Sequence, residues 1–305
     1  MKKDKANLIF SMLIFGSMGL VIKKIPFGSI QITWFRGTIG CLFILAVCFL
    51  SGKGLDIRAL RKNLPVLLIS GCFIGANWIM LFNAYKYTDV SIATVCNYMA
   101  PVIVTFLSPL LFKERLSTLR VVCVFSAVAG LACLASAGGG LGPEGAKGIA
   151  FGLAAAVLYA GMVVCNKFLR EISGRDSCAM QLGMAALFLT PFFLAGGGVS
   201  FERAGITEVA LLLCLGIIHA GVAFLLYFTA IPGLPGQSVA ALSYVEPAAA
   251  ILFSFLILGE RLTAVQLAGC ILVLGSTFVS ELWGGKSTAA EPNSFAQDQG
   301  SLYNK

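Results

Sequence analysis

Long apolar runs alternate with short polar connectors along the whole chain, and the runs share a common length. A bilayer core about 30 Å thick needs roughly 20 apolar residues of helix. Ten runs approach that length: residues 7–22, 30–50, 64–83, 90–112, 119–137, 148–166, 179–195, 207–230, 237–258 and 264–283. The pattern predicts an all-α membrane protein with ten transmembrane helices. A membrane barrel would instead show segments of about ten residues with alternating polarity. Lys2, Lys3 and Lys5 precede the first run as in a signal peptide, but Lys23 and Lys24 follow it. With no clear cleavage site of small residues, an uncleaved first helix is expected.

The pattern also repeats. The segment Lys113-Glu114-Arg115-Leu116-Ser117 returns as Gly259-Glu260-Arg261-Leu262-Thr263, an offset of 146 residues. The same offset pairs Pro101 with Pro247, Tyr98 with Tyr244, Ala84 with Ala230, Phe82 with Phe228 and Gly75 with Gly221. Shared hydrophobicity does not produce an ungapped match in Glu, Arg, Pro, Tyr and Gly. The chain therefore divides into a first five-helix repeat at 7–137, a Gly-rich linker at 138–147 and a second five-helix repeat at 148–283. A polar tail at 284–305 is expected to be disordered and cytoplasmic. Five is odd, so the second copy must lie inverted relative to the first. Two inverted repeats are an architecture of secondary transporters, with the substrate site near the midplane between them.

Composition narrows the classes further. Of 305 residues, 58% are hydrophobic and 12% charged, and the mean hydropathy is +0.90. Soluble domains carry about twice that share of charge, so a soluble enzyme, a disordered chain and a nucleic-acid partner are poor readings. The net charge of +8 reads as sidedness instead. With the N-terminus inside, fifteen Lys and Arg fall on the cytoplasmic side and six outside. That asymmetry predicts a multi-pass protein of the cell (cytoplasmic) membrane with both termini cytoplasmic, which an even number of spans allows. Nine of the ten cysteines sit within apolar runs, where Cys is a small hydrophobe. With no C-x-x-C pair and a single histidine, neither a metal site nor a redox site is expected, and no cofactor.

The motifs Trp34-Phe35-Arg36, Ala100-Pro101 with Lys113-Glu114-Arg115-Leu116, and Glu246-Pro247 with Gly259-Glu260-Arg261-Leu262 resemble those of the drug/metabolite transporter superfamily, EamA type. The resemblance covers residues 7–283. It implies two EamA-like five-helix repeats and transport of small metabolites, often export, without naming a substrate.

Ionisable groups within a bilayer are costly and mark functional candidates. Only Arg36, His219 and Glu246 lie deep in spans. Glu246 can bind a cationic group or a proton. Arg36 can hold a carboxylate or pair with Glu246, and a purely structural Arg–Glu pair is the competing reading. His219 suits proton exchange or a hydrogen bond to a neighbouring helix. A polar stripe on the fourth span, with Thr94, Asn97, Tyr98, Pro101 and Thr105, faces a cavity or another helix. Tyr244 and Pro247 are its counterparts on the ninth span. Pro101 and Pro247 each free a carbonyl four residues back and serve as helix kinks. Trp78, Phe82 and Tyr85, with Asn77 beside them, form an aromatic stripe suited to stacking or to packing. Tyr159 is a weaker candidate of the same kind. Glu114, Arg115, Glu260 and Arg261 lie at span ends as border anchors or gate pairs. Gly71 with Gly75, and Gly148 with Gly152, permit close helix contact.

The glycine-rich stretch near Gly140 lacks a Walker lysine, so ATP-driven transport has no support. The expectation is a secondary transporter, not an enzyme. It exports a small organic metabolite, either an amino acid or related compound or a drug-like one, by alternating access, with protons as a candidate drive. Gradient-driven uptake is the alternative, and a membrane-embedded enzyme a weaker one. The partners expected are the small-molecule substrate and the lipid bilayer, with the chain a monomer or homodimer.

Overall fold

A computed structural model describes residues 2–52, 54–112, 117–136, 143–196, 205–234 and 236–283. Among them there is no strand. The first three helices are α1 (Lys2–Ile22), α2 (Ser29–Leu50) and α3 (Ile57–Tyr87). The fourth span is two pieces, α4 (Val90–Asn97) and α5 (Ala100–Phe112). Then come α6 (Thr118–Ser136), α7 (Pro143–Asn166) and α8 (Gly174–Ala195). The eighth span runs from α9 (Ile206–Cys214) through a π-helical segment (Leu215–Val222) into α10 (Ala223–Ala230). The ninth is again broken, into α11 (Gly236–Ser243) and α12 (Val245–Phe253), and α13 (Ala264–Trp283) closes the order. Eight of these spans are long and apolar enough to cross a membrane, and the apolar stretches Thr118–Leu134 and Ala264–Ser280 are shorter. Together they make up the ten helices.

Two boundaries differ from expectation for local reasons. Helix α3 begins at Ile57, well before residue 64, because the Asp56 side chain accepts hydrogen bonds from Arg58 N and Ala59 N and so caps it. Helix α7 begins at Pro143, inside the stretch expected to be linker, since proline suits a first helical position. Residues 138–142, the tail at 284–305, Glu114 and Arg115 lie outside the described residues.

Helix α3 packs on α7 and α8, while α1 packs on α10 and α12. Helix α2 packs on α8 and on the π-helical segment, α4 on α7 and α12, and α6 on α13. Glycines set the closest approaches. A Cβ on Gly71 would stand 2.6 Å from the Met184 Cβ, and one on Gly152 2.8 Å from the Cys96 Cβ. On the other side, a Cβ on Gly16 would meet the Glu246 backbone oxygen at 2.6 Å. Large apolar side chains such as Phe10, Phe49, Phe125, Leu187 and Ile271 face outward, as the lipid-facing surface of a membrane protein requires.

Candidate functional site

The breaks in the fourth and ninth spans sit at matching places, and proline explains both. Pro101 and Pro247 lack the N–H that would bond to the carbonyl four residues earlier. Each helix therefore interrupts at a tyrosine: Tyr98 caps α4 and Tyr244 begins α12. The carbonyl freed by Pro247, at Ser243, is taken from across the molecule. Tyr98 Oη donates to Ser243 O at 3.2 Å and to Glu246 Oε2 at 3.0 Å. The rings of Tyr98 and Tyr244 lie 6.0 Å apart. Thus the fourth span supplies the donor for both the broken backbone and the acid of the ninth.

Arg36, on α2, is 2% exposed. Its guanidinium carbon lies 3.8 Å from the centre of the Trp78 ring and 5.8 Å from that of Phe82. Trp78, Phe82 and Tyr85 run parallel along α3, so the aromatic stripe read from the sequence is a stack whose cation is the protein's own arginine. Arg36 forms no ion pair with Glu246 among the described residues, and its Nε and Nη1 have no hydrogen-bond acceptor. Thr33 Oγ1, one turn earlier on the same face, is likewise buried without a partner. The two deep charges therefore do not lock to each other, although each lies within the other's field. A buried cation–π contact is worth about 2 kcal/mol. Burying an ion costs several kcal/mol even after relaxation. Stacking on Trp78 does not balance the burial of Arg36.

The remaining candidates divide between bonds inside the protein and the membrane border. Asn77 Nδ2 donates to Asn97 Oδ1 at 3.0 Å and to Ala155 O at 2.7 Å, which ties α3, α4 and α7 together. Thr94 Oγ1 meets Tyr85 Oη at 3.3 Å. This part of the polar stripe faces other helices. Tyr159 packs against the apolar cluster of α4, α5 and α13 and lies within electrostatic reach of Tyr98. His219 sits in the π-helical segment, its Nδ1 3.3 Å from Cys214 O and its Nε2 3.1 Å from Ser17 Oγ on α1. The sequence reading missed Ser17. A hydroxyl within the first apolar run was the available signal, and Ser11 in the same run shares it.

Glu260 is 6% exposed on its side chain and does more than anchor a border. Lys23 Nζ donates to its Oε1 at 2.7 Å, Val90 N donates to the same oxygen at 3.1 Å, and Ser91 N reaches Oε2 at 3.5 Å. The carboxylate of the ninth span's end thereby caps the start of α4, where orphan N–H groups and the helix dipole favour an anion. Asp89, the residue before α4, makes no side-chain cap bond of its own. Burial raises its carboxyl above the ordinary value of 3.8, the Glu260 carboxylate adds to the rise, and Lys23 opposes it. Arg261 is exposed. At the opposite ends of the spans, Lys62 Nζ pairs with Glu171 Oε2 at 2.6 Å and holds that carboxyl below its usual range.

The sequence model of the EamA-like transporter family matches residues 6–136 and 146–282. The chain belongs to the EamA-like transporter family. This places it in the drug/metabolite transporter superfamily and makes it a multi-pass membrane transporter. Among the relatives of this EamA-like transporter is uncharacterized transporter YxxF of Bacillus subtilis strain 168. The two are 26% identical over 270 residues, spanning 88% of this chain and 86% of that one. The threonine/homoserine exporter RhtA of Salmonella typhimurium strain LT2 is 22% identical over 255 residues, spanning 84% of this chain and 82% of the exporter. A crystal structure of a protein 20% identical superposes with a TM-score of 0.65 over 93% of this chain and 99% of that one, a likeness of fold alone.

Proposed function

We propose that this EamA-like transporter is a secondary exporter of the cytoplasmic membrane that carries a small organic metabolite, an amino acid or related compound, by alternating access. The similarity to RhtA supports the substrate class and the direction. The Lys and Arg asymmetry supports cytoplasmic termini. Two inverted five-helix halves, residues 7–137 and 148–283, account for the packing. Exchanging the halves turns the contact of α3 with α7 into that of α10 with α1, and the contact of α4 with α7 into that of α12 with α1. The contacts of α6 with α13 and of α2 with α8 map onto themselves.

One observation carries the reading: Glu246, at the break of the ninth span, is held by a tyrosine at the break of the fourth. Interrupted helices in corresponding positions of two halves are where transporters place substrate and coupling ions. Glu246 is the binding or coupling acid, and it trades Tyr98 for a proton or an ammonium during the cycle. The test is counterflow in proteoliposomes with radiolabelled amino acids at several pH values. Glu246→Gln is expected to abolish both uphill transport and its pH dependence. Unchanged transport with an unchanged pH profile would remove Glu246 from this role.

A further inference from the structure

We infer that Arg36 is the docking point for a carboxylate on the transported molecule. Accordingly, the substrate class is that of carboxylate-bearing zwitterions of amino-acid size. This rests on the reading of the chain as a metabolite exporter and specifies what it recognises.

Three buried side-chain atoms that lack a hydrogen-bond partner among the described residues lie on one turn of α2: Thr33 Oγ1, Arg36 Nε and Arg36 Nη1. Buried donors in folded proteins nearly always find acceptors, and a guanidinium left without one is the costliest exception. The guanidinium carbon lies over the Trp78 ring, a contact that supplies cation–π attraction and no lone pair to accept from Nε or Nη1. Tyr98 already bonds to Glu246, so the protein's own acid is engaged elsewhere. The acceptor that fits is an anion brought by the cargo. A guanidinium fork matches a carboxylate with two parallel bonds, and the Thr33 hydroxyl on the same face offers a third. A phosphate dianion would call for further deep cations, and Arg36 is the only Lys or Arg within the ten apolar runs apart from Arg120 near the start of the fifth. Glu246 lies within the field of Arg36 without touching it. A molecule with a carboxylate toward Arg36 and an ammonium toward Glu246 therefore leaves the site neutral. A carboxylate alone leaves Glu246 charged, and an amine alone leaves Arg36 unanswered.

The experiment uses the full chain in lipid nanodiscs and matched probes: the twenty amino acids, their amides, the corresponding decarboxylated amines, and the corresponding plain carboxylates that lack the amine. Binding is read by thermal shift and by equilibrium dialysis. At least one amino acid is expected to bind about tenfold or more tightly than its amide, which follows from losing one charge-assisted pair. Arg36→Gln is expected to bring acid and amide within about twofold of each other, and Arg36→Lys to keep part of the preference. Glu246→Gln is expected to keep the preference for the acid over the amide while weakening amino acids relative to plain carboxylates. Amides binding as tightly as acids, no acid in the panel binding, or a full acid preference in Arg36→Gln would each overturn the assignment. Should Arg36→Gln not fold, the wild-type comparison of acid with amide decides alone. Loss of acid preference with intact pH-dependent transport would remove the carboxylate and leave the exporter reading standing. An intact preference with no transport in proteoliposomes would do the reverse.

Discussion

The phenolic proton of Tyr98 has two acceptors within reach, the Ser243 carbonyl and the Glu246 carboxylate, and can serve only one fully at a time. Tyr98→Phe leaves both without it while keeping the ring and its contact with Tyr244. An unsatisfied buried acceptor costs about 1–3 kcal/mol, so the thermal midpoint in nanodiscs is expected to fall by several degrees. The position of Tyr98 was legible in the sequence through its 146-residue pairing with Tyr244, and its partner was not. Sequence spacing places a residue along a helix and on one of its faces, but the rotation and tilt of two helices decide which groups meet. For the same reason Arg36 and Glu246 stood out as the scarce deep charges. The aromatic seat of Arg36 on Trp78, in place of a pair with Glu246, follows from how α2 lies against α3.

Helices lend each other their caps. The N-terminus of α4 is served by Glu260 from another span, and the nearer acid, Asp89, stands half-buried beside it. A carboxyl raised in the folded state favours its protonated form there. Its charged form therefore weighs against the fold as the pH climbs past the usual carboxylate range, and that penalty vanishes in acid. Asp89→Asn is expected to raise the thermal midpoint at neutral pH and to leave it unchanged below the ordinary carboxylate range, measured by the same unfolding series across pH. A loss of stability at neutral pH would mean that Asp89 works as a charge partner of Lys23. The element breaks show how far pattern reading reaches. Pro101 and Pro247 announce their kinks because a missing N–H is written in the sequence. The π-helical segment at Leu215–Val222 carries no such mark. Its wider i→i+5 turns pack closely on α2, where Gly216 and Gly221 sit against Ile39 and Phe43.

At the scale of the molecule, the ten spans were legible because a bilayer demands length and apolarity of every crossing. Their partners were not, since helices that all meet lipid on one side carry similar surfaces. The contacts that join the first half of the chain to the second include several polar exchanges. Tyr98 donates to Ser243, and Lys23 and Val90 donate to Glu260. Asn77 donates to Ala155 O, and Asn63 both donates to Arg170 O and accepts from Arg170 N. In hydrocarbon such groups find no water to replace a missing partner. Residues 1–142 and 143–305 expressed as separate polypeptides are each expected to be degraded when alone. Together they are expected to accumulate and co-purify, as immunoblots of membrane fractions would register. Accumulation of either fragment by itself would show that these exchanges are dispensable. If the fragments are stable only together, the polar exchanges act as a recognition code: two gene products bearing them find one another without a peptide bond, and a swapped half from a relative lacking Tyr98 or Glu260 is refused.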